Sequence, residues 1–510
     1  MTAYQQLEGR FRRLSNLEET ANFLHWDTAT MMPEGGAESR AEQLATLRVL
    51  CHEILSDPAL DDLLDGAERA GGLGAWQRAN LREMRRLRAH ATAVDGRLVE
   101  ELSRATSACE MVWREARPKS DFAAVRPALE KVLGLVRRVA ESKAAALGCS
   151  LYDALLDQYE PGGRSAEIDR LFDDLARFMP GFLERVLERQ AGLPAPLEPH
   201  GPFPITRQRD LAERMMKVIG FEFHHGRLDV SLHPFCGGTP DDVRITTRYS
   251  DSDFTKGLMG VLHETGHALY DRGLPVEWRG QPVGRDRGMS VHESQSLLIE
   301  MQACRSRAFL EFAAPLMREA FGGDGPAWEP DNLYRLYTRV TRSMIRVDAD
   351  EVSYPAHVIL RYRLERAMIQ GDLKVADLPG AWHDGMKKLL GVVPPDDRRG
   401  CLQDIHWYDG AWGYFPTYTL GAMTAAQLFD AARRADPDIV PGMRRGDFGP
   451  LRNWLRAQVH SRASLLGTAE LVTAATGRPL DPQIYKRHLE ARYLAPAEAP
   501  RASTAAVGAA

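Results

Sequence analysis

The sequence predicts a predominantly α protein, a large helical body with one small β-sheet or hairpin near residues 226–249. Three observations carry this. Apolar residues recur at helical spacing over most of the 510 residues. Alternation with period two is confined to one short stretch. A composition of 44% hydrophobic and 26% charged residues is that of a folded, water-soluble chain, not of a disordered or membrane-embedded one.

Leu81, Met84, Leu87 and Ala91 form an early helical stripe, and Phe122, Val125, Leu129, Val132, Val136 and Val139 form a longer one with charges between. The same period predicts helices over 165–195, 206–219, 331–350, 356–370 and 447–475. In GRLDVSLHPFCGGTPDDVRITTRY, residues 226–249, Leu228, Val230 and Leu232 and then Val243, Ile245 and Thr247 alternate around a Pro/Gly-rich turn, which gives the small β element. With no internal repeat or clear linker, residues 1–494 read as one large helical domain, with two lobes around a groove as the alternative subdivision. The Ala/Pro/Ser-rich end, 495–510, reads as a disordered tail.

Charge and cysteine usage narrow the function classes. A net charge of -5 provides no positive field for phosphate backbones or anionic lipid, so neither nucleic acid nor membrane is expected as a partner. No apolar stretch approaches the roughly 18 residues of a membrane span and the start lacks a signal-peptide core, which predicts a cytoplasmic protein. Six cysteines without a Cys-x-x-Cys pair read as free thiols. Only Cys236 and Cys401 fall inside motifs that could approach a site.

The most informative stretch is LMGVLHETGHALYDRG, where His263, Glu264 and His267 form His-Glu-x-x-His within a helical pattern of Phe254, Leu258, Leu262 and Leu269. Residues four apart lie one above the other on a helix, so both imidazoles can reach one ion. Glu264 is then placed to take a proton from water activated by that ion. Gly273 reads as standing just past the helix end. Gly260 and Gly266 are costly inside a helix, which suggests that something approaches the backbone closely there. A catalytic zinc needs a third protein ligand, and Glu293 in SVHESQSLLIEMQ is the leading choice. Ser290 and Glu293 also have the Ser-x-x-Glu spacing of a capping box, so spacing leaves ligand and cap open, with Asp271, Asp286, Glu277 and His292 as other reachable ligands.

These residues resemble the carboxypeptidase Taq family of metal-dependent carboxypeptidases over most of the chain. The resemblance rests on six motifs in order: His233-Pro234-Phe235, Asp242-Val-Arg244-Ile-Thr246, His263-Glu264-Thr-Gly-His267, His292-Glu293-Ser294-Gln295, Ile345-Arg346-Val-Asp-Ala349-Asp350, and Gly400-Cys-Leu-Gln403-Asp-Ile-His406-Trp407. LHWDTATMMPEGG, YDALLDQYEPG and GYFPTYTLG are similar to family segments as well. Tyr354-Pro355-Ala356 departs from members that carry Asn after the tyrosine. The resemblance implies that His263, His267 and Glu293 bind one divalent metal, that Glu264 is the general base, and that the fold is a saddle-like helical body with a long groove, commonly a homodimer. Zinc is the expected ion, with cobalt or manganese able to substitute.

Peptide substrates with a free C-terminus require a reader of the terminal carboxylate, and a guanidinium supplies a two-pronged donor. Arg346 and Arg244 are the first choices, with a structural salt bridge to Asp350 or another acid as the alternative for Arg346. Arg361 ranks lower, because helical arginines mostly sit at the surface. His406, Tyr414 and Tyr418 are candidate donors to the developing oxyanion. His233 lies on a segment that its following proline holds extended, and Gln403 and Trp407 read as groove wall. Asp242 is expected to orient Arg244, and His292 to steady the ligands from behind. The leading activity is release of single C-terminal amino acids. A helical oligopeptidase or dipeptidyl carboxypeptidase is the alternative, and an intact Glu264 argues against a non-catalytic scaffold.

Overall fold

The structure, a computed structural model, describes residues 1–495. The tail read from the sequence therefore lies, apart from Ala495, outside the described residues. In chain order the helices are α1 (Ala3–Thr30), α2 (Ala37–Ser56), α3 (Ala59–Ala70), α4 (Ala75–Thr92), α5 (Gly96–Lys119), α6 (Phe122–Leu147), α7 (Leu151–Leu156), α8 (Ser165–Ala191) and α9 (Ile205–Ile219). Strands β1 (Gly226–Val230), β2 (Cys236–Thr239) and β3 (Asp242–Thr247) follow. The rest is again helical: α10 (Phe254–Gly273), α11 (Met289–Leu297), α12 (Arg307–Phe321), α13 (Pro330–Tyr337), α14 (Tyr354–Gln370), α15 (Leu378–Leu390), α16 (Pro416–Ala435), α17 (Ile439–Arg444), α18 (Gly449–Gln458), α19 (Thr468–Thr476) and α20 (Pro482–Tyr493). No described helix is long and apolar enough to cross a membrane.

Two predicted helices are shorter than their apolar period. The 331–350 pattern stops at Tyr337, because the Asp350 carboxylate accepts from the backbone N–H groups of Thr341, Val352 and Ser353 at 2.9–3.0 Å and ties the following segment into a loop. The 447–475 pattern breaks into α18, a turn at His460–Arg462, and α19. Buried His460 bonds Gln295 at 3.1 Å, and the Ser464 N–H donates to the Val283 carbonyl at 3.0 Å, so the chain is drawn out of its helix by long-range partners.

The β element is a three-stranded sheet in the order β1-β3-β2. The two alternating segments pair in parallel, with Leu228 opposite Ile245, and the hairpin joins β2 to β3. Leu228, Val243 and Ile245 are buried in the same apolar cluster as α10. On the other face Arg227 and Arg244 are register partners. Their guanidinium carbons stand 5.3 and 4.5 Å from the ring centre of Trp26 on α1. Leu232, read as part of a strand, lies outside it and is 80% exposed.

Among the described residues, the buried apolar side chains gather in two large cores and a smaller one under α1, α3 and α4. One large core holds α5, α6, α8, α14 and α15, and the other holds α9, α10, α12 and the sheet. Helix α16 serves both: Leu420 and Met423 enter the first, Ala425 and Leu428 the second. α11 packs on α10 and on α16, which brings the His-Glu-x-x-His helix and the Glu293 helix together at the junction of the two cores.

Candidate metal centre

Helix α10 begins at Asp253, whose carboxylate accepts from the Thr255 N–H at 2.9 Å. Its stripe of Phe254, Leu258, Leu262 and Leu269 is buried, while His263 and His267 lie half-buried on its flank. At Gly266 the close approach is real. A Cβ there would lie 2.6 Å from Gln295 O and from Ser296 Cα of α11. Gly260 faces open space instead. Gly273 is the last residue of the helix, not one beyond it, and packs against the His460 ring.

His263, His267 and Glu293 converge: one ligand atom from each lies within 4.8 Å of the others, and His267 Nε2 is 3.8 Å from Glu293 Oε2. No capping box forms, because Gly288 is the N-cap of α11 and Ser290 lies inside the helix, which leaves the Glu293 carboxylate free to face the histidines. Glu277 is exposed, and Asp271 is engaged by His292.

The histidines are oriented from behind. His263 Nδ1 contacts Glu300 Oε2 at 2.9 Å, and Glu300 is in turn held by Arg305 at 2.5 Å. His267 Nδ1 contacts His292 Nδ1 at 2.6 Å, and His292 Nε2 contacts Asp271 Oδ1 at 3.1 Å. Both Nδ1 atoms are thus occupied, leaving each Nε2 for an ion, the usual backing of metal-binding imidazoles. Glu300 was not singled out from the sequence, although it lies seven residues after Glu293 and so on the same helical face. It sits in a seven-residue π-helical segment, Leu298–Cys304, that continues α11.

Electrostatics favour a cation here. Burial opposes charge on His263, but the Glu300 hydrogen bond and the carboxylates of Glu293 and Glu264 outweigh it and push the ring up to about 10. Burial, with the positive neighbours His292 and His263, holds His267 well below its ordinary value and so neutral. Burial pushes Glu264 up to about 7, against the pull of His263 and with the push of Glu293. Two imidazoles and a carboxylate, with further negative charge alongside, form a donor set that fits a divalent ion.

Beside this cluster lies a buried cationic wall. Arg346, 6% exposed, donates from Nε and Nη2 to Asp404 Oδ1 at 2.9 and 2.8 Å and from Nη1 to the Tyr354 hydroxyl at 2.9 Å. The structural salt bridge considered for Arg346 is thus made with another acid, Asp404, and not with Asp350, which is occupied by backbone N–H groups. Arg361 is not a surface residue either: it is fully buried and its Nε donates to Asp404 Oδ2 at 2.6 Å. Burial opposes the Asp404 charge, but Arg361 and Arg346 outweigh it and hold the carboxyl well below the usual range. One carboxylate between two guanidiniums leaves a surplus positive charge. Tyr418 stacks 5.1 Å from Arg346, Tyr414 stands edge-on to Tyr418 at 5.2 Å, and His406 Nε2 is 3.4 Å from the Tyr418 hydroxyl. Gly421, three residues after Tyr418 on α16, abuts Glu293, where an added Cβ would lie 2.8 Å from the Glu293 Cβ, so wall and ligand cluster adjoin.

Other candidates are placed differently. Arg244 is engaged by Asp242, at 2.6 and 2.5 Å, and lies over the rings of Trp26 and Phe23. Asp242 does hold Arg244. His233 is exposed on the loop between β1 and β2. The Gln403 amide is taken up by the Arg346 N–H and by the carbonyls of Met344, Arg399 and Gly400, so it ties the chain together rather than lining open space. Trp407 is a core residue whose indole N–H donates to Glu365 at 2.7 Å, not groove wall. All six cysteines are free. Cys236 lies 3.9 Å from Asp271, whereas Cys401 is buried in a core.

A helical body that brings a His-Glu-x-x-His helix against a glutamate on a neighbouring helix has the architecture of a metallopeptidase. The family model for the carboxypeptidase Taq (M32) metallopeptidases matches residues 6–493. Thermostable carboxypeptidase 1 of Thermus thermophilus is 38% identical over 97% of this chain and 98% of its own length, and that of Pyrococcus furiosus is 34% identical over 96% and 98%. Among solved structures, metallocarboxypeptidase 1 of Trypanosoma cruzi superposes with a TM-score of 0.95 at 41% identity, covering 97% of this chain and 99% of that one. The M32 carboxypeptidase of Deinococcus radiodurans gives 0.91 at 34% identity, covering 96% and 98%. The chain belongs to the carboxypeptidase Taq family and is a metallocarboxypeptidase, a hydrolase of peptides.

Proposed function

We propose that the enzyme releases single amino acids one after another from the free C-terminus of peptides, with broad specificity. The observation that carries this reading is the adjacency of two features: the His263, His267 and Glu293 cluster with Glu264 alongside, and the buried surplus positive charge of Arg346 and Arg361 around Asp404. His263, His267 and Glu293 would hold one divalent ion, zinc by preference, with cobalt or manganese as substitutes. Such an ion polarises the scissile carbonyl and lowers the pKa of water. Glu264 accepts a proton from water as it attacks the carbonyl carbon, then delivers that proton to the leaving nitrogen. Burial, which raises Glu264 to about 7, suits it to both transfers.

Arg346 reads the terminal carboxylate of the substrate, and Arg361 and Asp404 fix its position from below. Burial keeps the hydroxyls of Tyr414 and Tyr418 protonated, and His406, lowered to about 4 by burial and the two arginines against Asp404, is neutral. These three are therefore donors available to the oxyanion. We take residues 1–494 as one unit, since α16 builds both large cores, and infer a cytoplasmic homodimer from the free thiols and the family likeness.

Timed mass spectrometry of one peptide and of its C-terminal amide, with added zinc, tests the reading. A ladder losing one residue at a time from the free acid, with the amide resistant, is the expected result. Internal fragments or released dipeptides from both substrates would overturn it in favour of an oligopeptidase or dipeptidyl carboxypeptidase.

A further inference from the structure

Helix α11 begins without a cap of its own. Its N-cap is Gly288, with φ 89°, which has no side chain to accept the first N–H groups. A Cβ at that position would lie 2.7 Å from Pro161 Cδ and 3.0 Å from Tyr159 O, so glycine is what lets the loop after α7 reach the helix end. That loop supplies the missing acceptors. The Met289 N–H donates to the Tyr159 carbonyl at 2.7 Å, and the Ser290 N–H donates to Glu160 Oε2 at 3.2 Å. The other Glu160 oxygen accepts from the Thr468 hydroxyl at 2.7 Å, and the side chain is 4% exposed.

The loop is itself braced. Asp157 accepts from the Gly162 N–H at 2.8 Å and meets His90 at 2.8 Å, while Arg287 donates to the Pro161 carbonyl at 3.0 Å and to Glu83 at 2.8 Å. Glu293 lies three residues beyond Ser290, one helical turn along the same face. In a capping box an N3 side chain caps its own helix, whereas Glu293 lies two residues past N3 of α11. Here the work is done from outside.

We propose that Glu160 is a positioning residue of the metal centre: by capping α11 from a distant part of the chain it fixes the first turn of the helix, which aims the Glu293 carboxylate at His267. The proposal rests on the reading of Glu293 as a metal ligand. Both are tested on the full-length, metal-free protein by zinc competition against a chromophoric chelator and by hydrogen exchange of the amides of residues 289–291.

Glu160→Ala, and Glu160→Asp, which keeps the charge but withdraws the carboxylate by one methylene, should each bind zinc about 10- to 100-fold more weakly and exchange those amides faster. Glu160→Gln, whose amide oxygen still accepts from the Ser290 N–H and whose amide N–H can donate to the Thr468 hydroxyl oxygen, should restore both towards wild type. If the alanine variant fails to fold, the aspartate variant carries the test. Wild-type zinc affinity in the aspartate variant, or an equal loss in the glutamine variant, overturns the proposal. Glu293→Ala is the separate control: wild-type zinc binding there overturns the ligand reading, whatever Glu160 does.

Discussion

A methyl group added at Gly266 should do the opposite of what helix propensity alone dictates. Alanine normally favours a helix interior over glycine by about 1 kcal/mol. At Gly266, however, the new Cβ would stand 2.6 Å from two backbone atoms of α11, about 1 Å inside normal contact. Neither obstacle is the end of a flexible side chain, so relief requires the two helices to part. Overpacking of this kind costs about 1–3 kcal/mol, which exceeds the propensity gain. The displacement would also carry α11 away from α10, widening the 3.8 Å separation of Glu293 and His267 and weakening zinc binding. Gly260 on the same helix supplies the contrast, since a Cβ there meets nothing within 4 Å. Gly260→Ala should stabilise the metal-free protein by about 1 kcal/mol. Urea unfolding midpoints of both variants, with chelator competition for zinc, make the comparison. If Gly266→Ala proves as stable as Gly260→Ala and binds zinc like wild type, the close packing of α10 on α11 does not govern the site.

Glu264→Gln should keep fold and zinc content but lose about 10²- to 10⁴-fold in kcat, measured on a free-acid peptide; retained turnover would remove Glu264 from the chemistry. Glu300→Gln replaces the anionic partner of His263 with a neutral one, and zinc affinity should fall about 10- to 100-fold in chelator competition. Stability should also depend on acid through Glu351, which meets Arg492 at 2.9 Å and His488 at 2.8 Å. Burial opposes its charge, but Arg492 together with the hydrogen bonds of His488 and Tyr493 outweighs it and holds the carboxyl well below its ordinary 4.5. With the folded value the lower, its stabilisation is complete above about pH 4.5 and drains as the pH falls. Glu351→Gln should therefore flatten the acid limb of the stability profile while costing about 3–5 kcal/mol at neutral pH, because the Arg492 side chain, 8% exposed, loses the carboxylate it faces. An unchanged acid limb would remove Glu351 as its source.

The helical class and most helix positions were legible because one apolar face per helix suffices to write them. So was the His-Glu-x-x-His pair, whose geometry is local. What spacing left open was decided by distant residues. Ser290 and Glu293 could have been a capping box, but Gly288 is the N-cap and the Ser290 N–H is taken by Glu160, 130 residues away, a partner no window of sequence reveals. Arg361 was expected at the surface because a lone helical arginine usually is; its burial depends on Asp404, which the chain brings back 43 residues later. Gln403 and Trp407 look like groove residues by motif, yet their polar groups hold carbonyls and Glu365. The 331–350 stripe failed where the Asp350 side chain outcompeted helical hydrogen bonding.

The two faces of the small sheet are fastened with very different strength. Toward α10, Leu228, Val243 and Ile245 are interlocked with aliphatic neighbours, and prising them loose would bare hydrocarbon at about 1.5–3 kcal/mol per side chain. Toward α1, besides the packing of β2, the sheet offers the planes of Arg227 and Arg244 over Trp26 and of Arg244 over Phe23, contacts of about 0.5–1 kcal/mol each that water can readily replace. If this molecule ever gapes, the seam of least resistance runs along the arginine side, and the half that carries the histidines travels intact.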